Sequence, residues 1–254
     1  MKKIIFFICL FFGSSSVVPA QEGQVDATLY LQANQAYKSG DFTTAAMQYE
    51  KLLSSGLVNG DMYYNLGNAY LKKGAIGHAV LNFRMADRFL PRDADIEANL
   101  QYALDQTKDK IDCSGNASFW KTFFFWLYKF SSRELCYGFL GFNIIFWVIL
   151  GIKFFFRTDS LGIAASIALF FTILFAASFL VKYYQTSCVI NAVVLAPEIQ
   201  VRSGSSPSDT VLFKLHEGAE LTVAEEENEW VRILLCDGKK GWVQKSLIGI
   251  LPGA

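Results

Sequence analysis

The chain has 254 residues, of which 52% are hydrophobic and 15% aromatic, and its mean hydropathy is +0.28. These values exceed those of an ordinary soluble protein and indicate segments that lie in a membrane. The 23 basic and 23 acidic residues balance, so no global field attracts nucleic acid, and a nucleic-acid-binding function is excluded.

The N-terminus predicts a secretory signal peptide over residues 1–20. Met1-Lys2-Lys3 supplies the positive charge, Ile4 to Phe12 the apolar run, and Val18-Pro19-Ala20 the small residues of a cleavage site. An uncleaved N-terminal anchor is the alternative, and it leaves the following segment on the same side of the membrane. We therefore expect that segment to be exported.

Residues 25–110 contain a pattern that recurs with an offset of 34 residues. The recurring positions are Ala33, Asn34, Gly40, Ala45 and Tyr49, which reappear as Gly67, Asn68, Gly74, Ala79 and Phe83. A period of this length is typical of stacked helix–turn–helix units, each of which buries its apolar face against its neighbour. The pattern predicts two such units and a capping helix from Asp93 to about Lys108.

The second unit, from Tyr63 to Pro91, resembles the tetratricopeptide repeat (TPR) at nearly every marked position. The residues that carry the resemblance are Tyr63 to Tyr70, Gly74, Ile76, Ala79, Phe83, Ala86 and Pro91. It implies all-α helical hairpins with a concave, protein-binding face on the first helix of each repeat. The predicted binding residues are Tyr30, Asn34, Tyr37, Tyr64, Asn65, Asn68, Asn99 and Tyr102, beside Asp61 and Asp95.

Asparagine carries both a donor and an acceptor and tyrosine gives flat contact area, so such a face suits the backbone of an extended peptide. For Asn65 and Asn99 the alternative is that they tie adjacent repeats together. TPR domains that bind a free C-terminal carboxylate have basic residues where this chain has Tyr30, Asp95 and Asn99. The resemblance therefore implies that this groove does not read a free carboxylate.

Two uncharged stretches, 135–152 and 161–181, predict transmembrane helices, because a bilayer core needs about 20 apolar residues per helix. Residues 118–131 mix aromatics with Lys121 and Lys129 and predict an amphipathic segment at the lipid headgroups. With an exported N-terminal domain, two crossings return the C-terminus to the same side. The loop that holds Lys153 and Arg157 would then face the cytoplasm, as positive loops tend to do.

Residues 188–251 resemble the bacterial SH3-like domain and predict an all-β barrel of short strands. Leu212 to Gly218, Trp230 to Ile233 and Gly238 to Val243 carry the resemblance, and Asp237-Gly238 is a hairpin signal. Glu225-Glu226-Glu227 is interpreted as a solvated hairpin tip. Trp230 and Trp242 are either barrel core or a ligand-binding surface; relatives bind cell-wall peptide or other proteins.

The inventory of reactive residues argues against an enzyme, a metal site and a cofactor. The two histidines, His78 and His216, each lie inside a structural motif, so few residues are available for metal binding or histidine-dependent catalysis. Cys9 belongs to the signal peptide and Cys136 to a span. The remaining Cys113, Cys188 and Cys236 are expected in an oxidising compartment, with the pairing left open because sequence alone cannot assign it.

The order of signal peptide, TPR units, transmembrane hairpin and SH3-like domain resembles the BatE-like family of aerotolerance-operon proteins. The resemblance implies a non-enzymatic scaffold of the bacterial inner membrane, with both soluble domains in the periplasm. Its implied partners are other Bat-like membrane or periplasmic proteins, some containing von Willebrand A domains, and the lipid bilayer. The alternative function is a membrane anchor that binds peptidoglycan peptide.

Overall fold

The computed structural model describes residues 20–111, 130–156, 158–187 and 189–251. The predicted signal peptide up to residue 19, most of the predicted interfacial segment 118–131, and Cys113 and Cys188 lie outside these residues. The described chain comprises an N-terminal helical part, two long apolar helices and a C-terminal antiparallel β-domain.

The helical part contains five helices: α1 (Ala20–Lys38), α2 (Phe42–Ser54), α3 (Gly60–Lys73), α4 (Ile76–Phe89) and α5 (Ala94–Asp105). The starts of α2 and α4, and those of α3 and α5, differ by the 34 residues of the sequence pattern. Asn59 caps α3 by accepting a hydrogen bond from the Met62 N–H at 2.8 Å. Gly74 ends α3 in the left-handed region at φ 81°, where glycine carries no steric penalty.

Small residues allow these helices to pack closely. Ala33, Ala45 and Ala79 are fully buried, as is the Phe83 ring. A Cβ at Gly67 would lie 2.7 Å from the Cδ1 and Cε1 atoms of Phe83, so any larger residue there would overlap the ring. The recurring small residues therefore set the spacing between α3 and α4.

Two further helices, α6 (Ser132–Phe155) and α7 (Asp159–Ser187), are long and apolar enough to cross a membrane. Their candidate spans, Arg133–Phe155 and Asp159–Tyr184, have mean hydropathies of 2.1 and 2.4, and 6% and 22% of their most apolar windows are buried. So much exposed apolar surface is unlike a soluble core helix. Both helices run longer than the predicted spans. At the start of α6, Ser131 and Glu134 form a capping box upstream of the apolar run.

The α6–α7 pair packs through aromatic rings. The Phe142 ring stacks on those of Phe171 and Phe175, with centroids 5.0 and 5.4 Å apart. Gly138 lets the Phe175 ring approach, since a Cβ there would lie 2.5 Å from two of its ring atoms. The turn between the helices is short, so the two helices form an antiparallel hairpin.

The C-terminal domain is a seven-stranded antiparallel sheet with strand order β3-β2-β6-β5-β4-β1-β7. The strands are β1 (Ile190–Val194), β2 (Glu198–Arg202), β3 (Val211–His216), β4 (Glu220–Glu227), β5 (Trp230–Leu234), β6 (Lys240–Gln244) and β7 (Ile248–Ile250). Gly238 turns the chain between β5 and β6 at φ 87°, where the Asp-Gly signal predicts a hairpin. The glutamate run belongs to β4, and the β4–β5 turn lies at Asn228, with φ 51°.

The helical part and the β-domain contact each other directly. The Arg84 guanidinium on α4 donates to both carboxylate oxygens of Glu220 on β4, from Nε at 2.5 Å and from Nη2 at 2.8 Å. Asp109 accepts the His216 backbone N–H at 2.5 Å, and its second oxygen lies 2.9 Å from His216 Nδ1. The two domains therefore lie at the same end of the α6–α7 hairpin, which agrees with the predicted return of the chain.

Candidate functional site

The predicted binding residues line one face of helices α1, α3 and α5. We call these eight residues the Asn–Tyr face: Tyr30, Asn34 and Tyr37 on α1, Tyr64, Asn65 and Asn68 on α3, and Asn99 and Tyr102 on α5. Hydrogen bonds link α1 to α3 and α3 to α5 across this face. Tyr37 packs edge-to-face on Phe42 with ring centroids 5.3 Å apart, and Tyr102 is exposed at the C-terminal end.

One asparagine–tyrosine pair recurs along the face. Asn65 Nδ2 donates to the Tyr30 hydroxyl at 3.3 Å, and Asn99 Nδ2 donates to the Tyr64 hydroxyl at 3.0 Å. A 34-residue shift maps the first pair onto the second. Asn65 and Asn99 thus do connect neighbouring helices, as the structural alternative for them predicts.

The remaining two asparagines use only their carbonyl oxygens internally. Asn34 Oδ1 accepts the Tyr49 hydroxyl at 2.6 Å, and Asn68 Oδ1 accepts Asn99 Nδ2 at 2.9 Å. Among the described residues, no internal acceptor is assigned to the Nδ2 groups of Asn34 and Asn68, nor to the hydroxyl hydrogens of Tyr30 and Tyr64. These half-buried groups can therefore still donate hydrogen bonds to carbonyl oxygens.

Sequence reasoning missed Tyr49 as a member of this network. Tyr49 is buried, which raises the pKa of its hydroxyl to about 12, and its ring lies edge-to-face on Tyr30. The sequence did contain a signal for this role. Tyr49 occupies the position that Phe83 occupies in the second unit, and a buried tyrosine hydroxyl, unlike a phenylalanine ring, needs a hydrogen-bond partner. Tyr49 holds Asn34 in a fixed orientation from beneath the face.

In the β-domain the two predicted tryptophans have different surroundings. Trp230 is buried, whereas Trp242 is half-buried and pairs across the sheet with Arg202 and Arg232. Both arginines have partners: Arg202 donates to Gln200 and to the Asp209 carbonyl, and Arg232 lies 3.3 Å from Glu225. Trp242 therefore offers more accessible ring surface than Trp230 does.

A cleft of about 670 Å³ lies between α4, α5 and the β-domain. Its wall includes Arg84, Asp87, Glu220 and Cys236, and burial raises the pKa of the Asp87 carboxyl. Arg84 and Glu220 form an ion pair with each other, so these two charges in the cleft neutralise each other. Within the described ranges no group of three or more His, Cys, Asp or Glu residues is placed to hold a metal ion.

The described cysteines differ in redox state. Cys236 is disulfide-bonded, and Cys136 in α6 is free. The predicted cysteines Cys113 and Cys188 lie outside the described residues, so the structure does not assign their pairing. The disulfide at Cys236 fits an oxidising compartment, because such bonds are rare in the bacterial cytosol.

Comparison with known proteins identifies the β-domain but not the helical part. No curated protein matches the chain. A bacterial SH3 domain is found at residues 197–249, which includes β2 to β6 and most of β7. A domain of this kind suggests binding to proteins or peptidoglycan. From this match, the C-terminal β-domain of this chain is a bacterial SH3 domain.

Proposed function

We propose that the chain is a non-enzymatic scaffold of the bacterial inner membrane, which binds partner proteins through a TPR groove formed by the Asn–Tyr face. The observation that carries this proposal is the recurrence of the Tyr30–Asn65 pair as Tyr64–Asn99. The pairs hold the Tyr30 and Tyr64 hydroxyls one repeat apart, and Asn34 and Asn68 recur at the same offset with Nδ2 groups that have no internal acceptor among the described residues. A peptide backbone, which repeats its carbonyls regularly, is the ligand that suits such an array.

The order of the domains supports a BatE-like role in an envelope-stress or aerotolerance complex. Partners would then be membrane or periplasmic proteins, including those with von Willebrand A domains. The SH3 domain packs on α4, which leaves the Asn–Tyr face on α1, α3 and α5 open to a partner. No catalytic residue is part of this proposal.

The proposed location is the periplasmic side of the inner membrane for both soluble domains. Three points support it: the predicted signal peptide, the packing of both domains at one end of the hairpin, and the disulfide at Cys236. The packing indicates that the two domains share one side of the membrane but would be the same on either side. Only the disulfide and the predicted signal peptide indicate that this side is the periplasm.

The second candidate function is a cell-wall anchor in which the SH3 domain binds peptidoglycan peptide. The match of residues 197–249 to the bacterial SH3 domain favours it. In this case Trp242, with its half-buried ring, would be the first surface to examine.

A co-sedimentation and capture experiment separates the two functions. The full chain, tagged at its C-terminus and solubilised from wall-free membranes, should retain Bat-like membrane proteins if it is a scaffold. Incubated with purified peptidoglycan, the same protein should remain in the supernatant. Sedimentation with the wall, together with no retained membrane protein, would establish the anchor and contradict the scaffold.

Topology gives an independent prediction. We expect compartment reporters fused after Lys110 and after Ala254 both to report the periplasm, and a reporter inserted near Arg157 to report the cytoplasm. The reason is that α6 and α7 form a hairpin with both domains at its open end. End fusions on opposite sides of the membrane would contradict the hairpin, and both in the cytoplasm would contradict export.

A further inference from the structure

We propose that one edge of the helical part rests on the bilayer, with the side chains of Val58 and Phe89 in the lipid headgroup layer. This edge is formed by the turns 55–59, between α2 and α3, and 90–93, between α4 and α5; we call it the turn edge. The inference rests on the proposed transmembrane hairpin, since it takes the bilayer crossed by α6 and α7 as the partner surface.

The α4–α5 turn is attached to the start of α6. Arg92 Nη2 donates to Glu134 Oε1 at 2.6 Å, and the Arg92 guanidinium lies 6.0 Å from the centroid of the Phe130 ring. Glu134 is in the first turn of α6, next to the start of the apolar span at Arg133. The turn is therefore at the level where the helix leaves the hydrocarbon layer.

Helix α4 also approaches the end of α7. The carboxyl of Asp87, in the last turns of α4, lies within electrostatic reach of Lys182, near the end of the second span. The C-terminal part of α4 and the turn that follows it thus lie near both helices of the hairpin. The Arg92–Glu134 ion pair restricts rotation of the helical part away from the membrane surface.

The α2–α3 turn lies on the same edge as the α4–α5 turn. A Cβ at Gly60 would be 2.5 Å from Leu90 Cγ and 3.1 Å from Phe89 Cβ. The rings of Tyr63 and Phe89 stack with centroids 5.7 Å apart. Fixing the α4–α5 turn at the membrane therefore brings the α2–α3 turn to about the same height.

Apolar side chains on this edge are exposed. Val58 is 46% accessible and Phe89, the residue that precedes the α4–α5 turn, is 40% accessible. Phe130, whose ring lies beside Arg92, is 37% accessible. A headgroup layer is roughly 5–8 Å thick on each side of the hydrocarbon core, and aromatic and arginine side chains are typical of that layer. Because Asp93 is exposed on the same edge, we expect apolar contact, rather than attraction to anionic lipid, to dominate the interaction.

Site-specific fluorescence quenching tests this contact in the full chain reconstituted into phosphatidylcholine nanodiscs. Val58→Cys and Phe89→Cys are each labelled with the fluorophore NBD, and the discs contain lipid with a nitroxide near the headgroup. Met47→Cys is the matched control, since Met47 is 60% exposed in the middle of α2. Ile144→Cys, 62% exposed in the middle of α6, is labelled in the same way and read with nitroxide placed deep in the acyl chains.

We expect headgroup nitroxide to quench the probes at positions 58 and 89 at least about two-fold more than the probe at 47. Background from native cysteines, including the free Cys136, is measured on the parent chain. Equal quenching at 58, 89 and 47 overturns the inference, and so does a probe at 58 that is shielded from water but not quenched by lipid. Quenching at 144 without quenching at 58 or 89 overturns the turn-edge contact alone, whereas no quenching at 144 overturns the hairpin as well.

Discussion

Replacing Gly77 by leucine should separate the helical part from the SH3 domain. Gly77 is buried on α4, where a Cβ would collide with the Val194 carbonyl oxygen and lie 3.1 Å from Leu195 Cα and 3.3 Å from the Gly218 nitrogen. All three atoms are backbone, so none can move aside as the end of a side chain could. Overpacking of this kind costs about 1–3 kcal/mol.

The measurement is hydrogen exchange in the full chain. Amides of β1 and of the first turn of α4 should exchange about 5- to 150-fold faster in the Gly77→Leu variant, which corresponds to the same 1–3 kcal/mol. The matched control is Thr43→Leu, at the equivalent position of α2 one repeat earlier, where the side chain is exposed. If the two variants exchange alike, the α4–SH3 contact does not form in solution.

The helical part could be anticipated because its information is local and periodic. Ala45 and Ala79 stand 34 residues apart and are both fully buried, and the same offset separates the starts of equivalent helices. The two apolar helices could be predicted equally well, because a helix that crosses a bilayer needs a long run of uncharged residues. The ends of these helices were predicted less accurately. The predicted spans stopped at the ends of the apolar runs, whereas the helical structure continues into polar flanks such as Ser131 to Glu134.

The SH3 domain was recognised from its sequence, but one local assignment was wrong. The run Glu225-Glu226-Glu227 was interpreted as a hairpin tip, and it continues strand β4 opposite Arg232, Val231 and Trp230. Charged residues are compatible with a strand whose outer face is solvated. The turn forms instead at Asn228, where asparagine tolerates the left-handed conformation at φ 51°.

The arrangement of the domains could not be derived from local patterns. Arg84 and Glu220 are separated by 136 residues and Asp109 and His216 by 107, and periodicity carries no signal over such distances. The same limit applied within the candidate site: the Asn–Tyr face was predicted residue by residue, whereas the bond from Tyr49 to Asn34 was not. That bond determines how the site should be tested.

Alanine at Asn34 would be an ambiguous variant, because it removes the acceptor of the buried Tyr49 hydroxyl. An unsatisfied buried hydroxyl costs about 1–3 kcal/mol, so lost binding could reflect a damaged fold. Aspartate avoids this problem. Asn34→Asp retains the oxygen that accepts from Tyr49, and Asn68→Asp retains the oxygen that accepts from Asn99, while both variants lose the Nδ2 donors.

We expect the double variant Asn34→Asp with Asn68→Asp to bind a captured partner about 5- to 150-fold more weakly than the parent chain. Each lost hydrogen bond contributes about 0.5–1.5 kcal/mol net, and two contributions add when the sites are independent. The two new carboxylates would also face the carbonyl oxygens of a bound peptide, which acts in the same direction. Affinity is measured by titrating the purified full chain against the partner recovered from wall-free membranes.

The control for added charge is Gln32→Glu with Gln35→Glu, which introduces two carboxylates at exposed positions of α1 outside the Asn–Tyr face. This control should bind like the parent chain, and both double variants should retain its hydrogen-exchange pattern in α1 to α5. A second comparison deletes the SH3 domain, residues 188–251, and should leave capture largely intact. Unchanged affinity in the Asn34→Asp, Asn68→Asp variant, together with loss of capture on deleting the SH3 domain, would place the binding site on the β-domain, because only that domain could then account for the partner.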